Sequence, residues 1–298
     1  AAGFEVLTTT VAQEQLENFI NSENIVALLV RSATTVRQDL IDACPNLKII
    51  GRGGVGMDNI DVEYARKKGL SVINTPAASS ESVAELVFAH LFSGVRFLYD
   101  SNRAMPLDGD SKFKALKKAY AKGTELRGKT LGVIGFGRIG QATAKMALGL
   151  GMKVIAFDPF LEKTTLSLSF YDGQTIDFEI STVSKETVLK ESDFISLHVP
   201  AQKEFVIGKA ELELMKNGAG LINAARGGVV DEVALVSALN SNKLAFAGLD
   251  TFENEPTPSV QLLMNPKISL TPHIGAATNQ AQDRIGSELA SQIISILK

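Results

Sequence analysis

A chain of 298 residues is long enough for about two domains with well-filled cores. Its formal net charge of −3 supplies no basic field for nucleic acid or anionic lipid, and no apolar run approaches the roughly 20 residues of a membrane span. The single Cys44 excludes an internal disulfide and fits a reducing, cytoplasmic setting, while three scattered histidines leave no zinc-ligand spacing.

The opening "AAGFEV" carries no Met and reads as a helix end running into a strand, which puts the natural N-terminus upstream; no signal peptide is visible. "IVALLV" (25–30), "LKII" (47–50) and "LSVINT" (70–75) read as buried strands, with helices over 35–44, 61–68 and 80–98. The polar stretch "YDSNRAMPLDGDSKFKALKKAYAKG" lacks strand signal and marks the boundary between two units. A second series begins with "TLGVIG" (130–135) and continues with "KVIAF", "DFISLHV", "AGLINAA" and "AFAGLD". Strands alternating with helices predict an α/β fold of two doubly wound, parallel-sheet units. Residues 165–181 break the alternation. Leu166, Leu168 and Phe170, then Ile176, Phe178 and Ile180, alternate at period two around Asp172-Gly173. This predicts a hairpin with a type I′ turn, packed outside the second unit and without chemistry. The closing "NQAQDRIGSELASQIISIL" puts Ile285, Leu289, Ile293 and Ile294 on one side of an amphipathic helix.

The stretch "LGVIGFGRIGQATAKMALGLGMKVIAFDPF" holds Gly135, Gly137 and Gly140 as G-x-G-x-x-G, after a strand and opening a helix, with Asp158 ending the next strand. In that context the pattern predicts dinucleotide binding. Gly135 makes the turn, Gly137 admits a pyrophosphate, Gly140 lets helix meet strand, and the helix N-terminus offers free N–H groups. Asp158 would accept from ribose hydroxyls and repel a 2′-phosphate, favouring NAD over NADP.

Arg226, Asp250 with Glu253 and Glu255, and His273 each follow a strand end in the last third of the chain. Ligands of open α/β sheets bind beyond the carboxyl ends of strands. A histidine can move a proton near neutral pH, a carboxylate beside it holds the ring, and a guanidinium clamps a substrate carboxylate. That set suits hydride transfer between a 2-hydroxy acid and nicotinamide. Singly, Arg226 reads equally as a surface ion-pair partner, Glu255 as a solvated loop acid and His273 as a loop histidine. Their shared position favours chemistry. His90, in an apolar helix, reads as a satisfied packing or interface histidine, and His198 as structural or cofactor-lining.

The segments "GRGGVGMDNID", "NTP", "AEL", "GKTLGVIGFGRIG", "SDFISLHVP", "INAARGGVVDE", "GLDTFENEP" and "TPHIGAAT" resemble the D-isomer-specific 2-hydroxyacid dehydrogenases over about residues 47–280. The resemblance implies a catalytic trio at Arg226, Glu255 and His273. It implies cofactor contacts at Arg138, Ile139, Asp158, Val199, Pro200, Ala224, Ala225, Arg226 and Asp250, and from His273 through Gly275 to Ala276. It implies a substrate-carboxylate nest at Gly53, Gly54 and Val55. It also implies a Rossmann NAD-binding domain over 99–276, a flavodoxin-like substrate domain over 1–98 with 277–298, and a homodimer through the cofactor domains.

Within that family "LLVRSATTV" is similar to the branch acting on 3-phospho-D-glycerate. Arg31 and Arg52, both after strands, would give a small phosphorylated 2-hydroxy acid a second cationic contact, with Lys117 and Lys118 as further charge from a partner. The alternatives are another reductase of the family, acting on glycerate or hydroxypyruvate, and an NADH-sensing scaffold. A nucleic-acid-binding reading has no basic stripe behind it. The hairpin is longer than the family's usual connection. The chain stops at Lys298 with no regulatory module, so activity insensitive to L-serine is expected.

Overall fold

The chain divides into two compact units, residues 1–79 with 276–298, and residues 80–275. The computed structural model describes residues 3–298. The expected opening strand does not form: Phe4 to Val11 join no ladder, and Phe4, Val6 and Leu7 stay exposed. In the first unit α1 (Leu16–Ser22) precedes β1 (Ala27–Val30), α2 (Gln38–Ala43), β2 (Ile49–Arg52), α3 (Val62–Lys67) and β3 (Ser71–Asn74). The strands pair in parallel in the order β1-β2-β3, with Ala27 opposite Ile49 and Ile49 opposite Ser71. Strand alternation sends Ile50 and Val72 to the face covered by Leu16, Ile20, Leu40 and Ile41.

The second unit begins with α4 (Ser80–Val95), α5 (Leu98–Asp108) and α6 (Phe113–Ala119). The polar stretch expected to be a boundary is thus largely helical, and the boundary lies before α4. The reason is packing. Val87, Leu91 and Val95 of α4 share a core with Leu131, Val133, Ile222 and Phe246, so the helix belongs to the second sheet. That sheet comes from β4 (Thr130–Ile134), α7 (Arg138–Gly149), β5 (Lys153–Phe157), β6 (Lys163–Ser169), β7 (Thr175–Ser181), α8 (Lys185–Glu191), β8 (Phe194–Leu197), α9 (Lys209–Leu214), β9 (Ala219–Asn223), α10 (Glu232–Asn240), β10 (Leu244–Leu249), α11 (Val260–Leu263) and β11 (Ile268–Leu270). Six strands run parallel in the order β11-β10-β9-β8-β4-β5. The order reverses between β4 and β8, which opens a crevice at their carboxyl ends. Ile195, Leu197, Leu221 and Leu249 fill the face opposite α4. Both faces are therefore buried, which is why these strands read as continuous apolar runs.

The strands β6 and β7 form the expected hairpin, antiparallel from Lys163–Ser181 to Ser169–Thr175. Its turn is not type I′. Phe170 N–H donates to Gln174 C=O, and the Gly173 N–H donates to Phe170 C=O. Only Gly173, at φ 86°, takes a positive φ, so Tyr171-Asp172-Gly173 make a three-residue loop in which glycine alone is left-handed. Leu166 is buried against the second core. Thr182, just past the hairpin, bridges Ala156 in parallel beside β5.

The last helix, α12 (Asn279–Leu297), starts at Thr278, whose side chain accepts the Ala281 N–H. Ile285 and Leu289 pack with Ile73 and Ala78 on the other face of the first sheet, and Gln292 donates to Asn74 C=O. Among the described residues no helix is long and apolar enough to cross a membrane.

Candidate active site

The polar groups singled out in the second unit follow strand ends on the carboxyl side. Arg226 lies beyond β9, Asp250 and Glu255 beyond β10, and His273 beyond β11, and these three strands are neighbours in the sheet. His273 Nδ1 lies 2.8 Å from Glu255 Oε2. Glu255 Oε1 accepts the Phe252 N–H at 3.0 Å, so the carboxylate is held from behind while its other oxygen holds the imidazole. Both side chains are open to solvent, at 43% and 37% exposure. The ring nitrogen not held by Glu255 is thereby left to meet a substrate proton.

Two backbone devices bring the loops together. A Cβ at Gly227 would sit 1.8 Å from the carbonyl oxygen of Phe252, so the loop of Arg226 lies backbone to backbone on the loop of Glu255. Glu232 and Glu253 exchange hydrogen bonds, each carboxylate accepting the other's N–H, at 3.0 and 2.8 Å. Burial, chiefly, pushes the Glu232 carboxyl above the usual carboxylate range. Asn223, at the end of β9, accepts from the Ala225 N–H and donates to the Arg226 C=O, stapling Ala224–Arg226 in place. Arg226 Nη1 donates to Ala225 C=O.

The buried Asp250 carboxylate takes three donors: Thr271 Oγ1 at 2.6 Å, Ile274 N–H at 2.8 Å and Gly275 N–H at 2.9 Å. Expected as a cofactor contact, Asp250 is here the anchor of the loop carrying His273. Sequence reading passed over Asn223 and Thr271. Asn223 had a signal, a polar residue inside an apolar strand run.

At the crevice of the strand-order reversal, the glycine turn has the shape its spacing predicts. Gly135 sits at φ 91°, and a Cβ at Gly140 would lie 2.2 Å from the Gly135 carbonyl oxygen. Gly137 has nothing within 4 Å of such an atom, leaving open approach to the backbone where α7 begins at Arg138 and Ile139 with no side-chain cap. Val199 and His198 border the turn, with Pro200 next in the chain. The His198 side chain is half-buried, its Nδ1 is buried without a partner among the described residues, and desolvation pushes its pKa down to about 3. Asp158 accepts the Phe136 N–H at 2.7 Å and the Phe160 N–H at 2.9 Å, so it braces the glycine turn from the end of β5. Open glycine, uncapped helix start and acid at the second strand fit a dinucleotide.

In the first unit Arg31 is exposed, and its guanidinium makes no hydrogen bond or ion pair among the described residues, while its C=O accepts from Asn59 Nδ2 at 2.8 Å. Its stem passes 3.8 Å from the Cβ direction of Gly53. The Arg52 guanidinium lies over Gly54, and its Nη1 donates to Gly53 C=O at 2.5 Å. The expected nest is also partly spent. Gly53 N–H donates to Val30 C=O, carrying the β1–β2 ladder one residue past β2, and Gly54 N–H turns back to Arg52 C=O. Among the described residues the Val55 N–H has no such backbone partner. Ala276 belongs to the span of the first unit.

Residues 88–275 match the family described as D-isomer specific 2-hydroxyacid dehydrogenase, NAD binding domain. A hydroxypyruvate reductase of Thermotoga maritima is 43% identical over 298 residues, covering 98% of this chain and 91% of that protein. A D-3-phosphoglycerate dehydrogenase of Methanocaldococcus jannaschii is 40% identical over 99% of this chain, which spans only 53% of its length. The chain likewise spans about half the length of the other phosphoglycerate dehydrogenases it matches. Among solved structures, D-lactate dehydrogenase of Aquifex aeolicus complexed with NAD and lactic acid is similar at TM-score 0.75 and 32% identity, over 97% of this chain and 86% of that one.

Proposed function

This chain belongs to the D-isomer-specific 2-hydroxyacid dehydrogenases, and from that premise we propose that it oxidises 3-phospho-D-glycerate to 3-phosphonooxypyruvate, the first step of the phosphorylated route to serine, in the cytoplasm. The observation that carries the choice of substrate is Arg31, an exposed guanidinium without a protein partner beside the Gly53–Val55 turn. Lactate or glyoxylate would give such a cation nothing to bind, whereas a phosphate would.

Gly135, Gly137, Gly140 and the first amides of α7 would hold the pyrophosphate of NAD, with Asp158 toward the ribose. Bound NAD supplies the acceptor for the hydride that leaves C2. His273 Nε2 takes the proton of the C2 hydroxyl, and Glu255 holds the ring and stabilises the imidazolium charge. In the reverse direction the same nitrogen returns the proton to the carbonyl oxygen. Arg226 binds the substrate carboxylate and polarises the neighbouring carbonyl. Exposed apolar Phe92, Leu98, Met105, Leu107 and Phe113 on α4, α5 and α6 support a homodimer through this unit.

A second reading, reduction of hydroxypyruvate, draws on the relative matched over nearly its whole length. The test is initial rates with NADH on phosphonooxypyruvate, hydroxypyruvate, glyoxylate and pyruvate, for the protein, Arg31→Ala and His273→Ala. We expect phosphonooxypyruvate to have the highest kcat/KM, and Arg31→Ala to lower it at least about tenfold while sparing hydroxypyruvate. His273→Ala should lose about 10²–10⁴ in turnover and keep NADH binding. Preference for hydroxypyruvate, with Arg31→Ala indifferent, would hand the assignment to the second reading. No turnover on any of the four, with tight NADH binding, would favour a scaffold.

A further inference from the structure

His90 stands outside every role given so far, yet it is the most thoroughly tied histidine of the chain. It lies on α4, is 2% exposed, and its ring packs against Gly248 of β10, where a Cβ would come within 2.6 Å of His90 Cβ. Its Nδ1 is 2.8 Å from Ser269 Oγ and its Nε2 is 3.0 Å from Thr271 Oγ1. Thr271 in turn donates to Asp250 Oδ1 at 2.6 Å.

The direction of this chain of hydrogen bonds follows from counting protons. The one hydroxyl proton of Thr271 goes to the Asp250 carboxylate, which only accepts. Toward His90, Thr271 is therefore an acceptor, and Nε2 carries the ring proton. Burial lowers the pKa of His90 and keeps the ring neutral, so Nδ1 is bare and accepts from Ser269. The sequence runs Ser269 O–H to His90, His90 Nε2–H to Thr271, Thr271 O–H to Asp250. Asp250 then grips the N–H groups of Ile274 and Gly275, on the C-terminal side of His273.

That grip has something to hold. His273 sits at φ 53°, in the left-handed region that a non-glycine residue adopts only when its surroundings impose it. Its own N–H turns back to the Thr271 C=O. The residue before the turn is thus fixed by its side chain and the residues after it by their amides, and Thr271 and Asp250 are the two fixing groups.

We propose that His90 is a positioning residue for the reaction: through Thr271 and Asp250 it holds the backbone turn that presents His273. The proposal rests on the reading of His273 as the proton-transferring group.

Two paired substitutions test it. His90→Gln and His90→Asn both remove the ring, but a Gln amide reaches the place of Nε2 and donates to Thr271, whereas an Asn amide stops near Nδ1 and reaches only Ser269. We expect His90→Gln to keep kcat within about twofold and His90→Asn to lose about tenfold, at similar thermal midpoints and with KM for the oxo acid little changed. Thr271→Val should show the same loss, Thr271→Ser should recover it, and His90→Asn with Thr271→Val should cost no more than either alone. Equal kcat for the Gln and Asn variants, or losses that add, would overturn the proposal, because a packing role does not distinguish which nitrogen is replaced. Should His90→Asn not fold, the Thr271 pair decides by the same criterion. His273→Ala separates the two readings. Turnover kept there removes His273 from the chemistry, while turnover lost there with no difference within the pairs removes only the His90 assignment.

Discussion

A single carboxylate can serve a ligand and the fold together, and we propose that Asp158 does both in this chain. The ribose role expected of it concerns cofactor choice, while its observed hydrogen bonds to the Phe136 and Phe160 N–H groups concern the shape of the glycine turn. The two roles respond differently to substitution. Asp158→Asn keeps an acceptor for Phe136 and removes the charge, so kcat/KM should fall for NAD and rise for NADP relative to it. Asp158→Ala also frees the Phe136 N–H, so NAD should suffer by about 10–100-fold and NADP by less. Rates with both cofactors across the two variants check this. Equal losses for NAD and NADP in both would assign Asp158 to the turn alone.

Three consecutive strands deliver Arg226, Glu255 and His273 from separate loops, so their alignment depends on how loop meets loop. The tightest meeting is at Gly227 against the Phe252 carbonyl, which is backbone on backbone and has no flexible side chain to yield. A methyl group there has to push the loop of Arg226 off the loop of Glu255. A displacement of about 1 Å at a reacting group can cost about 10²-fold. Gly227→Ala should therefore lower kcat/KM by roughly that factor, and NADH affinity much less, since the glycine turn lies after a different strand. Fluorescence titration of NADH beside steady-state rates reads the two apart. An unchanged kcat/KM would mean that the loops re-pack without consequence.

Stability of the whole second unit carries a signature of two desolvated histidines, His198 and His90. The folded pKa of His198 is pushed down to about 3 from an ordinary 6.5. As pH falls through 6.5 the unfolded chain binds a proton that the folded chain refuses, so stability declines from there and continues to decline down to about pH 3. At pH 5 the loss is about 2 kcal/mol from His198, and His90, also lowered by burial, adds in the same direction. Glu232 works the other way, because its raised carboxyl is relieved by protonation as pH falls. A thermal midpoint lower by roughly 4–8 °C at pH 5 than at pH 7 is expected, with the slope flattened in His198→Gln. Calorimetric scans across that range check it, and a slope indifferent to His198 would assign the acid sensitivity elsewhere.

The places of the glycine turn, Asp158, Arg226, Glu255 and His273 after strand ends were legible in the chain because each depends on a local pattern. A strand end, a glycine spacing or an acid at a set remove needs no knowledge of distant partners. The α/β alternation was legible for the same reason. What the sequence could not hold is who meets whom. His90 reaches Ser269 and Thr271 across 179 and 181 positions, a pairing that exists only because α4 lies on the face of the sheet made by β10 and β11. The same long-range packing moved the boundary ahead of α4, turned Asp250 toward the loop of His273, and spent the Gly53 amide on Val30 of the neighbouring strand. Composition and spacing determined which chemical groups stand at the strand ends. Tertiary structure alone decided which of their donors and acceptors stay open, since a hydrogen bond satisfied inside the fold is no longer offered to a ligand.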